Sequence, residues 1–153
     1  MAGDEVPDWL AGIRDQVGGQ ALTGDQHAVL REALAPVLAD MMATRAVIPV
    51  VGAFQWDAEP GTITAFIGVA HHGQGIRIRT ELPAGELLAD LADQVQEWEI
   101  EELWLERGQA TWPECPDHPR SHPLAPGLDE HGAAVWLCPR SGQTKSVIGA
   151  LTR

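Results

Sequence analysis

Two predicted strands and the turn between them lie in residues 62–81, TITAFIGVAHHGQGIRIRTE. The first part, residues 62–70, is rich in β-branched and aromatic side chains. In the second predicted strand, residues 76–81, isoleucine and arginine alternate from Ile76 to Arg79. Alternation with period two predicts a strand with one buried face and one solvated face. Residues 72–75, HGQG, are typical of a turn, so the pattern predicts an antiparallel pair of strands here.

The residues before this pair predict one more strand and two helices. Residues 47–56 would form the third strand of an antiparallel meander. Apolar side chains recur at helical spacing in residues 8–17, and again after Thr23, where a capping box with Gln26 marks the start of a helix. Pro36 lies within this second helix and is expected to kink or split it.

A long helix is predicted after Pro83, because apolar residues recur at spacings of three and four as far as Leu103. This helix can cover one face of the meander. Its other face carries the acidic residues Glu86, Asp90, Asp93, Glu97, Glu101 and Glu106. Such a run is usually a solvated face, and the second interpretation is a docking surface for a basic partner. Helices and an antiparallel sheet together predict an α+β fold.

The composition changes near residue 110. Eighteen acidic and six basic residues precede position 111, whereas the segment that follows has four of each and is richer in proline. We therefore predict an acidic α+β body at residues 1–110 and a smaller module at residues 111–153. Trp104 and Trp112 flank the boundary and are expected to be buried between the two parts.

The net charge disfavours nucleic acid and membrane surfaces as primary partners. The formal charge is −12 and the pI is about 4.7, and a negative field repels phosphate groups. The longest apolar run, residues 46–54, is far shorter than the roughly 20 residues of a spanning helix. The N-terminus lacks the pattern of a secretory signal, and two cysteines exclude a multi-disulfide framework. A cytoplasmic location is therefore expected.

The C-terminal module carries four candidate metal ligands. Two residues separate Cys115 from His118, three separate His118 from His122, and fifteen separate His122 from Cys138. Two thiolates and two imidazoles satisfy tetrahedral zinc. Four protein ligands favour a structural ion, because a catalytic zinc keeps one position open for water.

The residues around the cysteines predict turns and a hairpin. A proline follows each cysteine and fixes a turn, and Gly142 can adopt the positive φ that closes the second one. Residues 133–137 and 144–148 are apolar and β-prone. They therefore predict the two strands of a hairpin whose tip holds the metal.

The tail follows the pattern Trp-Pro-x-Cys-Pro-x-His…His-Pro…Val-Trp-x-Cys-Pro-x-x-Gly…Ile-Gly-x-Leu at Trp112, Pro113, Cys115, Pro116, His118, His122, Pro123, Val135, Trp136, Cys138, Pro139, Gly142, Ile148, Gly149 and Leu151. On these residues it resembles the zinc-ribbon class, and more narrowly the tail of a group of small uncharacterised proteins of high-GC bacteria. The resemblance covers residues 111–153 and implies a metal-stabilised ribbon without an established activity. A ribbon normally has another ligand where Ser141 stands, so four-coordination requires His122 in that role.

Other interpretations of these residues stay open. The cysteines could be buried thiols without a metal, a disulfide in an oxidising compartment, or ligands of another metal. His71 and His72, at the predicted turn, could add a ligand, sense pH or contact a partner, although a solvated loop is the simpler interpretation. His131 is predicted to lie at the surface.

These features favour binding over catalysis. We predict a zinc-binding protein-interaction or assembly module in which a structural metal rigidifies a docking surface. Its acidic body would recognise a protein with a basic or amphipathic surface, or build a homo-oligomer. One alternative is a small zinc-dependent hydrolase or transferase that uses His71, His72 or Glu99 near an open zinc. Another is a transcription or translation accessory protein whose ribbon contacts nucleic acid.

Overall fold

The computed structural model describes residues 6–57, 59–109 and 111–153. In these ranges the chain forms antiparallel strands and helices, which confirms the predicted α+β class. The elements are α1 (Asp8–Gln16), β1 (Gln20–Ala21), α2 (Gly24–Ala43), β2 (Val50–Gly52), β3 (Phe54–Gln55), β4 (Thr62–Val69), β5 (His72–Arg79), α3 (Ala84–Arg107), β6 (Ala125–Leu128), β7 (Ala134–Leu137) and β8 (Thr144–Val147). No helix in these ranges has the length and apolar character needed to cross a membrane.

The strands form three antiparallel sheets. The predicted meander is confirmed and has the order β2-β4-β5. The predicted C-terminal hairpin is also confirmed, as β7 and β8, but it belongs to a three-stranded sheet of order β6-β7-β8. Strand β6 was not predicted, because Pro126 and Gly127 at its centre are residues typical of turns. The third sheet pairs β1 with β3.

The turn between β4 and β5 lies earlier than predicted. Residues 72–75 belong to β5, and the turn consists of Ala70 and His71. Gly73 is needed inside the strand because a Cβ at that position would clash with the ring of Phe66. Glycine at this position therefore allows close packing within the sheet instead of forming the turn.

On the N-terminal side one further prediction is corrected, and of the two outcomes expected at Pro36, a kink or a split, the split does not occur. The segment predicted as one strand, residues 47–56, forms the two short strands β2 and β3, which pair in different sheets. Helix α2 does not split at Pro36 but continues to Ala43, because its buried face packs on the core and tertiary packing supports the helix. The predicted capping box of Thr23 and Gln26 is present.

The long acidic helix covers the sheets as predicted, since α3 packs against β5, β6, β7 and α2. The buried core includes residues from both sides of position 110, and the division of the chain there stays a prediction. Trp112 is buried as expected and meets Trp136 edge to face, with ring centroids 5.6 Å apart. Trp104, in contrast, is 61% exposed, because it follows the buried Leu103 and points away from the core.

A buried carboxylate joins α2 to β7 and to the residues that follow β8. Asp40 is fully buried, and its Oδ2 accepts hydrogen bonds from Trp136 Nε1 at 2.7 Å and Gly149 N at 2.7 Å. Its Oδ1 accepts another from Leu151 N at 2.9 Å. Burial of a carboxylate is tolerated where its oxygens are hydrogen-bonded in this way. The sheet that carries Trp136 is thereby held against α2.

Candidate metal centre

Three of the four predicted ligands lie on one loop that is closed at its base. The loop comprises residues 113–124, and Leu124 N donates to Pro113 O at 2.7 Å across its two ends. Gln96 of α3 fixes this base, because its Nε2 donates to the carbonyls of Trp112 at 3.0 Å and Leu124 at 2.6 Å. The loop therefore begins and ends at fixed points in the core.

The fourth predicted ligand, Cys138, directly follows β7. Cys138 N donates to Gln143 O at 2.9 Å, and Gly142 N donates to Cys138 O at 2.7 Å, so these residues form a tight turn. Gly142 has φ +76°, as predicted for the residue that closes it. Strand β7 delivers the thiol to the tip of the sheet, opposite the loop.

The four predicted ligands converge. His118 Nδ1 lies 3.5 Å from Cys115 Sγ, 3.6 Å from Cys138 Sγ and 3.0 Å from His122 Nε2. His122 Nε2 lies 3.8 Å from Cys138 Sγ, and all four ligand atoms lie within 4.8 Å of one another. Bond lengths of about 2.3 Å to sulfur and 2.0–2.1 Å to nitrogen place tetrahedral ligand atoms roughly 3.3–3.8 Å apart. The group can therefore hold a metal ion, and it is compatible with zinc. His131 is 82% exposed, as predicted, and lies outside the group.

A neighbouring carbonyl orients His122. Its Nδ1 lies 2.9 Å from Pro123 O, and a carbonyl accepts, so Nδ1 carries the proton. The lone pair is then on Nε2, the atom that faces the other ligands. Histidine ligands of metals are commonly held by a second hydrogen bond of this kind.

Both cysteines are free and fully buried. Hydrogen bonds from the Ser141 hydroxyl and from the backbone N–H groups of Ser141 and Arg140 lower the pKa of the Cys138 thiol to about 6, although burial opposes this. A thiolate is the form that binds metals. Ser141, which stands where a ribbon would have a ligand, thus stabilises the thiolate form of Cys138.

Of the adjacent histidines of the β4–β5 hairpin, His71 lies in the exposed turn, which agrees with the simpler expectation, whereas His72 belongs to β5. The side chain of His72 is 17% exposed and stacks on Trp98, with ring centroids 5.8 Å apart. Its Nδ1 lies 3.0 Å from Glu102 and its Nε2 2.9 Å from Glu101. His71 is 63% exposed, and its Nε2 lies 2.9 Å from Glu102 Oε1 without the alignment of a hydrogen bond. The pair anchors the hairpin to α3, and neither histidine joins the metal group.

Helix α3 carries two buried acids, Glu102 and Glu99. Glu99 is fully buried, its Oε1 accepts from Val47 N at 2.7 Å, and its Oε2 has no partner among the described residues. Burial raises the pKa of this carboxyl to about 7. The hydrogen bond from Val47 and the charge of Arg107 oppose the increase, while Glu102 and Glu106 add to it.

The raised pKa of Glu99 predicts that Glu99→Gln stabilises the protein at high pH. The folded protein holds the proton more tightly than the unfolded chain, so the wild type loses stability as the pH rises from 4.5 towards 7. Above pH 7 the amide removes a penalty of about 3 kcal/mol, or roughly 10 °C in Tm, and the gain shrinks as the pH falls.

Thermal unfolding at pH 5 and pH 8 measures this difference. Glu97→Gln, which removes an exposed carboxylate from the same helix, is the matched control and should not change the pH dependence. The same Tm for Glu99→Gln and wild type at pH 8 would contradict the assignment.

No family model, no curated protein and no solved structure matches this chain.

Proposed function

We propose that the chain binds one structural zinc ion and serves as a non-enzymatic protein-interaction or assembly module. The observation that carries this proposal is the convergence of two thiols and two imidazoles, whose ligand atoms all lie within 4.8 Å of one another. Three of their sulfur–nitrogen distances, 3.5, 3.6 and 3.8 Å, match those of a tetrahedral site. This ligand set suits zinc, and four protein ligands leave no position for a reactive water. The ion would join the loop of residues 113–124 to the turn after β7.

The residues that a zinc hydrolase would need are engaged elsewhere. His72 contacts carboxylates of α3, and Glu99 accepts from Val47 N. Among the described residues, neither belongs to the group of converging ligands. This arrangement supports a structural ion over a catalytic one.

The surface that we assign to a partner is the acidic face of α3. Glu86, Asp93 and Glu97 are exposed and have no cationic group within 4.0 Å among the described residues. Their spacings of seven and four place them on one side of the helix. A row of unpaired carboxylates favours a protein with a basic or amphipathic surface.

Neutralising this row tests the interaction. We expect the double variant Asp93→Asn/Glu97→Gln to lose the salt-sensitive protein partner that the wild type retains in a pull-down, with unchanged Tm and zinc content. The variant Glu81→Gln/Glu130→Gln removes two exposed carboxylates elsewhere and should retain it. Equal retention by both variants, or a monodisperse monomer that retains no partner, would contradict the proposal.

A further inference from the structure

A basic groove lies beside the metal centre. It has a volume of about 940 Å³ and is bordered by the ends of α2 and α3 and by the loop of residues 113–124. Five of the chain's ten basic residues line it: Arg45, Arg107, Arg120, Lys145 and Arg153. Within the described ranges, Glu114 is the one acidic residue of the lining. A chain of net charge −12 thus concentrates half of its cations in one concavity.

Three of these cations, Arg45, Arg120 and Arg153, form no ion pair among the described residues. Lys145 pairs with Asp117, and Arg107 lies 3.7 Å from Glu106. In the part of the chain that the structure describes, no carboxylate lies within 4.0 Å of the exposed guanidinium groups of Arg45 and Arg120. A free guanidinium is suited to bidentate binding of phosphate or carboxylate.

The same two arginines occupy backbone positions that favour glycine. Their φ angles are +57° and +60°, and no other described residue except glycine has a positive φ. Arg45 follows the C-cap of α2, where its N–H donates to Met42 O and Ala46 N donates to Met41 O. Helix ends of this type usually have glycine at that position. An arginine at either position has a higher backbone conformational energy than a glycine would have. Such backbone outliers favour a functional role for the side chain.

We propose that this groove binds a small molecule with at least two anionic groups, phosphates or carboxylates, which are bound by Arg45 and Arg120 of its lining. Arg107 and Lys145 add positive charge to the same space, and its volume is within the range of small-molecule sites. A compact ligand suits the groove better than a nucleic acid. A long polyanion would reach past the groove to the acidic face of α3, whose last carboxylate, Glu106, adjoins Arg107.

Isothermal titration calorimetry of the full chain with fructose bisphosphate and with tricarballylate tests this proposal and distinguishes phosphate from carboxylate ligands. We expect at least one of them to bind with a stoichiometry of one. Arg45→Gln and Arg120→Gln should each weaken that binding about tenfold, since each removes one charge-assisted contact. Arg14→Gln and Arg31→Gln remove cations outside the groove and should leave the affinity unchanged.

Three results would overturn the proposal. The first is that neither compound binds, and the second is that the groove variants and the control variants weaken binding equally. The third is tighter binding of a single-stranded oligonucleotide than of either compound, because that would identify a nucleic-acid surface. Metal content is measured after each titration, so that loss of the ion is not mistaken for ligand binding.

The variant Arg45→Gly separates ligand binding from a structural role of this arginine. Glycine relieves the positive φ, so we expect Tm to increase while the affinity for the anion falls. An arginine that supports only the fold would give the opposite result, a lower Tm with unchanged affinity.

Discussion

Cys138→Ser is expected to release the metal ion and to lower Tm by more than about 10 °C. The side chain is one of four candidate ligands whose shared ion would join the loop of residues 113–124 to the tip of the β7–β8 hairpin. The apparent binding free energy of structural zinc is folding free energy, so removing a ligand destabilises both connected segments. Elemental analysis and thermal unfolding of the same preparation measure the two effects together.

Two histidine variants sharpen this test. His122→Asn should lose the ion as Cys138→Ser does, because we propose His122 as the ligand in place of the one that a ribbon would have at Ser141. His131→Asn alters a histidine that is 82% exposed and outside the metal group, so it should keep the metal and the wild-type Tm. Full metal content in His122→Asn would show that this residue is not a ligand.

Asp40→Ala is expected to destabilise the protein by about 3–5 kcal/mol, a decrease in Tm of roughly 10 °C or more. The substitution leaves the indole of Trp136 and the backbone N–H groups of Gly149 and Leu151 without their acceptor. Buried donors that lose a charged acceptor have a large free-energy cost. Chemical denaturation at neutral pH measures the change.

Metal content distinguishes the destabilisation caused by Asp40→Ala from that caused by the variants of the candidate ligands. Asp40 is not a ligand, so folded Asp40→Ala should still hold the ion. Glu32→Ala, on the exposed face of the same helix, should change the unfolding free energy by less than about 0.5 kcal/mol. A similarly small change in Asp40→Ala would show that the carboxylate does not hold the C-terminal sheet against α2.

Periodicity predicted most of the fold. The capping box at Thr23, the alternation of residues 76–79 and the apolar stripe of α3 each correspond to an observed element. The position of the β4–β5 turn could not be predicted, because glycine serves equally for turns and for close packing. Only the contact of Gly73 with Phe66 distinguishes the two.

The candidate metal ligands were predictable because few residue types bind zinc and their spacing is restrictive. Two of the buried acids, Asp40 and Glu102, were missed, although a signal existed. Asp40 lies three residues after Val37, and Glu102 lies four after Trp98, so each falls on the apolar stripe of its helix. The basic groove could not be predicted, because the fold alone brings together cations as distant in sequence as Arg45 and Arg120.

The most direct test of the structural zinc is the metal content of untagged protein, measured by elemental analysis and native mass spectrometry. The arrangement of the four ligands predicts one zinc ion per chain, bound without a disulfide between Cys115 and Cys138. A metal-free protein whose Tm is unchanged by Cys138→Ser would contradict the proposed centre.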